Sequence, residues 1–110
     1  MTHLKLTGAL LATTVLATGA WAQNLTIESW RNDDLTLWQD KIIPAFEAQH
    51  PGITVTFAPS APAEYNAVLN SKLDAGSAGD LITCRPFDAS LALYEAGHLA
   101  DLSGLDGMAN

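Results

Sequence analysis

Three short segments hold most of the groups able to engage a ligand: Trp30-Arg31-Asn32-Asp33, Ser60-Ala61-Pro62 with the following Tyr65, and Arg85-Pro86-Phe87-Asp88. Together they offer two aromatic faces besides Tyr65, two guanidinium forks, and amide and carboxylate acceptors. Carboxylates, Asn and Arg engage neighbouring hydroxyls in pairs, and aromatic rings cover an apolar C–H face, so the set suits a neutral polyhydroxy compound. The candidate ligand-binding residues are therefore Trp30, Arg31, Asn32, Asp33, Tyr65, Arg85, Phe87 and Asp88. Structural roles compete with each of these. Asp33 or Asp34 and Asp88 equally suit helix caps, Arg31 and Arg85 suit pairing with those caps, and Trp30 or Phe87 suits closing the edge of a core.

Other chemistry finds little support. Cys84 is the only cysteine, lies in a strand-like stretch and lacks a CxxC partner, so it reads as a buried, inert thiol. His50 falls at a helix end and His98 after a helix stop, without ligand spacing between them, so no metal is expected. The glycines form neither GxGxxG after the first strand nor GKS/T, and no G-x-S-x-G elbow is present. No cofactor and no catalysis are expected.

The elements that must position the three segments are legible from periodicity. Leu25 to Trp30 alternates apolar and polar and predicts a first strand; Ile53 to Phe57 predicts a second and Asp80 to Cys84 a third. Between the first two, Leu35, Trp38, Ile42 and Phe46 form one helical face, with Trp38, Phe46 and Phe57 read as packing. Pro44 should kink or restart that helix, and His50-Pro51-Gly52 ends it. A second helix from about Ala63 carries Tyr65, Leu69 and Leu73 on one face and stops at Gly76 and Gly79. A third runs from Asp88 through Ala96 to Gly97. Three βα units in succession require a parallel sheet covered by helices, an α/β fold. In such sheets ligands bind outside the carboxyl ends of the strands, where all three segments fall.

Residues 1–22 read differently. His3 and Lys5 precede an apolar run from Leu6 to Leu16 (LTGALLATTVL), and Ala20-Trp21-Ala22 is a small-x-small triplet. That order of parts is a cleaved secretory leader, with an apolar run too short to span a membrane. The mature chain is expected to start at Gln23, to be periplasmic and to insert into no membrane. The whole chain has 110 residues and is 48% hydrophobic, and loss of Lys5 leaves four basic against 12 acidic side chains, a formal charge of −8. Such a surface repels phosphate backbones, so no nucleic acid partner is expected.

Four blocks, in order, resemble extracellular solute-binding proteins of ABC importers, the sugar-binding type: LTIESW directly after the leader, KIIPAFEAQHPGITVTF, SKLDAGSAGDLI and LALYEAGHLADLSGL. The resemblance covers essentially all of 23–110. It implies a two-lobed, hinge-closing, monomeric protein that binds a carbohydrate and hands it to membrane permease subunits. It also implies ligand contacts from the loops after the first and third strands, here Trp30 to Asp33 and Arg85 to Asp88. Residues 23–110 would then be the first part of lobe 1, an incomplete domain, since about 88 residues bury only a modest core. Three other readings stand beside it: a secreted α/β hydrolase fragment, a receiver-type signalling domain suggested by Asp33-Asp34 after the first strand and Asp88 after the third, and a truncated product without independent function.

Overall fold

The computed structural model describes residues 22–108; the predicted leader, apart from Ala22, lies outside them. Three strands, β1 (Gln23–Ser29), β2 (Ile53–Pro59) and β3 (Leu81–Ile82), form a parallel sheet in the order β2-β1-β3. Gln23 to Ser29 pair in register with Ile53 to Pro59, and Ile27 and Glu28 pair with Leu81 and Ile82. The third strand is thus shorter than the predicted 80–84. Asp80 and Thr83 extend the ladder by single bonds to Thr26 O (2.9 Å) and Glu28 O (2.9 Å), and beyond Thr83 the chain turns away toward Pro86. Cys84 is consequently exposed rather than buried.

The chain leaves the central strand toward β2 and then crosses back to β3. With one handedness for both crossovers, the intervening helices must lie on opposite faces of the sheet. The first helical run, α1, covers 32–49 and opens with a 3-10 turn at Asn32–Asp34. At Trp38–Ile42 it widens into a π-helical turn, and it resumes as α-helix at Ile43–Gln49, with Pro44 in the first turn of that segment. A proline there has no N–H to contribute; the wider turn, in which Ile43 N–H reaches Trp38 O, absorbs the irregularity and the helix restarts. Trp38 stacks on Phe57 with ring centroids 4.8 Å apart and planes 9° from parallel. Glu47 Oε1 accepts the Val55 N–H at 2.8 Å, tying α1 to β2.

On the other face lie α2 (Tyr65–Asp74) and α3 (Asp88–Glu95). Tyr65, Leu69 and Leu93 form the buried core there, with Trp30, Leu73, Ile82 and Leu99 packed around it. Both helices end as their glycines predict. Gly76 (φ 68°) and Gly97 (φ 78°) adopt left-handed conformations, and Ser77 N–H to Lys72 O and His98 N–H to Leu93 O close the terminal loops. The predicted aspartate caps do not form. Asp33 and Asp34 turn to Arg31, while Asp88 lies inside the first turn of α3, after Phe87 as the cap residue.

One polar group sits deep in this layer. Glu28 is only 2% exposed. Its carboxylate accepts from Lys72 Nζ at 2.9 and 3.0 Å and from Gly79 N–H at 3.0 Å. Central strand, α2 and the approach to β3 therefore meet on one carboxylate. The α1 face, in contrast, is partly open. Leu25, Ile27, Trp38, Ile42, Val55 and Leu81 line an apolar groove of about 230 Å³, and Leu81 remains exposed.

Candidate functional site

The loops leaving β1 and β3 part toward opposite faces, α1 on one side and α3 on the other. The crevice between them is the point where an α/β sheet receives ligands. Trp30, directly after β1, packs its indole against the α2–α3 core and carries two guanidinium groups over its ring. Arg31 Cζ lies 5.4 Å and Arg85 Cζ 5.1 Å from the centroid. Arg85 also lies 5.8 Å from the Tyr65 ring centroid. At such distances the ring faces attract the cation and fix its orientation.

The two arginines differ in their partners. Arg31 Nε and Nη2 donate to the two Asp33 oxygens at 2.9 and 3.0 Å, and Asp34 lies 3.3 Å from Nη2. That hydrogen bond holds the Asp33 carboxyl below its ordinary carboxylate range, and the aspartates hold the Arg31 guanidinium above its own. Arg85 Nη2 instead donates to the Pro62 carbonyl, while its Nε is buried without a partner among the described residues. Ser90 Oγ donates to the Arg85 carbonyl and braces the loop from α3. Thus Arg85 joins the loop after β2 to the loop after β3, and Ser60 N–H to Ser29 O (2.8 Å) ties the loop after β2 to the carboxyl end of β1.

Trp30, Arg31, Asp33, Tyr65 and Arg85 are therefore brought together. Tyr65 is 2% exposed, and its hydroxyl donates to Thr83 O at 2.9 Å, with Glu28 O at 3.5 Å. It supports Arg85 and Trp30 from beneath. Asn32 and Asp88 lie exposed at the starts of α1 and α3, on either side of the crevice. Phe87 closes no core. It is 87% exposed and stands at φ 57°, ψ −120°, a backbone region costly for a bulky side chain. Thr83 and Ser90 were invisible to sequence reasoning. Thr83 Oγ1 bonds Glu28 O at 3.1 Å, but hydroxyl side chains at strand and helix starts carry no distinctive pattern.

Burial pushes the Tyr65 phenol above its ordinary value near 10. The neutral phenol is therefore favoured by the fold. Its contribution is complete below pH 10 and is lost as pH rises through the raised value. Tyr65→Phe is expected to cost about 1 kcal/mol at neutral pH, through the lost bond to Thr83 O. It should also flatten the alkaline decline of stability above pH 10, measured by urea unfolding at pH 7 to 11.

Residues 30–110 match the profile of the bacterial extracellular solute-binding protein family. The chain belongs to that family. Solute-binding proteins of this kind bind their solutes without transforming them, which sets aside the hydrolase reading. A search of curated proteins returned no significant match. Two solved structures share the fold. A family 1 extracellular solute-binding protein from Alicyclobacillus acidocaldarius superposes with TM-score 0.69 at 23% identity, over 79% of this chain and 22% of its own. The apo form of RafE from Streptococcus pneumoniae superposes with TM-score 0.64 at 23% identity, over 77% of this chain and 22% of its own. The chain thus spans about a fifth of the length of either structure.

Proposed function

We propose that residues 23–110 form the opening part of the first lobe of a two-lobed periplasmic carbohydrate-binding protein, exported by the leader at 1–22. Such a protein delivers its sugar to the permease subunits of an ABC importer. The observation that carries the reading is the convergence of Trp30, Arg31 and Arg85 at the β1–β3 crevice, with Phe87 presented to solvent beside them. With the Trp30 ring overlain by guanidinium groups, Phe87 supplies the free aromatic surface for the C–H face of a sugar ring. The exposed apolar groove beneath α1 supports an incomplete lobe, because further elements of the same domain would cover it. A second lobe closing over the crevice would desolvate the ligand and report occupancy.

The test is calorimetric titration of the full-length protein that contains this chain with a panel of mono- and oligosaccharides. Sugar binding is expected, and Phe87→Ala should weaken it about tenfold through lost stacking. Phe87→Gly should weaken it equally while raising stability by about 1 kcal/mol, because glycine accepts the positive φ without strain. A protein that binds no sugar, or a Phe87→Ala variant with unchanged affinity, contradicts the reading.

A further inference from the structure

We infer that the solute carries an anionic substituent, a carboxylate or phosphate on the sugar, and that Arg85 selects it; this rests on the carbohydrate reading above. Four basic residues lie among those described: Arg31, Lys41, Lys72 and Arg85. Arg31 is matched by Asp33 and Asp34, and Lys72 by Glu28. Lys41 is exposed on α1, where water solvates it. Arg85 is half-buried, and among the described residues no carboxylate lies within ion-pair distance of it.

Its neighbours hold the cation without neutralising it. Two aromatic faces and the Pro62 carbonyl orient the guanidinium, and among the described residues Nε has no acceptor. A partly desolvated charge is costly unless paired. Scarcity does not explain the missing partner, since the chain has 12 acidic against five basic side chains. The uncompensated cation instead lines an open cavity of about 480 Å³ between α2 and α3, together with Asn66, Asn70, Asp74 and His98, on a loop braced by Ser90. A guanidinium fork matches the paired oxygens of a carboxylate or phosphate, and the contact strengthens as water is excluded. Net negative charge elsewhere repels free anions, so the preference must arise from this short-range contact.

Matched probes decide the point on the full-length protein: glucose and galactose, their hexuronates, and their 6-phosphates, titrated by calorimetry at low salt. At least one anionic sugar is expected to bind ten times more tightly than its neutral counterpart, and the better of the two series names the substituent. In Arg85→Gln the ratio should fall to within threefold of unity, and Arg85→Lys should retain part of it. The wild-type ratio decides alone if the variants do not fold. Neutral sugars binding as tightly as anionic ones overturn the selection by Arg85 and leave the carbohydrate reading standing. An anionic preference that survives in folded Arg85→Gln also overturns the selection. Absence of binding by every sugar overturns both.

Discussion

Lys72→Met is expected to destabilise the fold by about 3 kcal/mol, near the lower end of the range for breaking a buried ion pair from one side. The reason lies with the partner left behind. Glu28 is almost wholly buried in the central strand, and its three close donor contacts would shrink to one, the Gly79 N–H. Lys72 itself keeps about a third of its side chain exposed (34%), so water relieves part of the penalty and the figure stays low. Replacing both residues, Glu28→Leu with Lys72→Met, removes the charge together with its counter-charge and should cost much less than the single change. Urea unfolding of the wild type, the single variants and the double variant measures the coupling, expected at about 2 kcal/mol. A Lys72→Met variant within 1 kcal/mol of wild type would show that solvent already carries the charge of Glu28.

The second large effect centres on the same carboxylate. Gly79→Ala is expected to cost about 2–4 kcal/mol, combining overpacking with a weakened charge-assisted bond. A Cβ at Gly79 would stand 2.7 Å from the Thr26 carbonyl oxygen and 3.1 Å from Glu28 Cγ. The obstructing atom is backbone, and it is already engaged, since Thr26 O accepts the Asp80 N–H at 2.9 Å. Thr26 N–H in turn donates to Asp80 Oδ2 at 2.9 Å. Room for the methyl group can come only from loosening β3 against β1 or moving the Gly79 N–H off Glu28. Gly104→Ala serves as the control. Nothing lies within 4 Å of a Cβ there, so its unfolding midpoint should stay within the small range of surface substitutions. Equal stability of the two variants would remove the close-approach argument.

Much of the fold was legible because it rests on local regularity. Alternation in Leu25 to Trp30 and Ile53 to Phe57 yields two of the strands, and the Tyr65, Leu69, Leu73 spacing yields the buried face of α2. Gly76 and Gly97 announce the helix ends because a left-handed residue is needed there. The errors share a cause. Asp33 and Asp88 looked like caps because caps are recognised from one side chain and its own backbone, whereas Arg31 competes for Asp33 and the turn at Phe87 shifts the start of α3. Cys84 looked buried because a strand-like composition does not show where the neighbouring strand stops pairing.

The candidate site divides along the same line. Placing Trp30, Arg31, Arg85 and Phe87 at the carboxyl ends of parallel strands needed only the order of elements. Their separate duties did not follow from that order. Trp30 and Tyr65 became supports for Arg85, Arg31 was spent on neighbouring aspartates, and Phe87 was left free, each through contacts with other loops. By itself, then, the sequence determined the βα rhythm, the parallel sheet and the edge at which Trp30, Arg31 and Arg85 gather, since periodicity and turn chemistry act over a few residues. Tertiary structure alone decided which charges are matched. Glu28 meets Lys72 across 44 positions of sequence and Gly79 across 51, and no local pattern encodes a pairing that exists only once the sheet and α2 have packed.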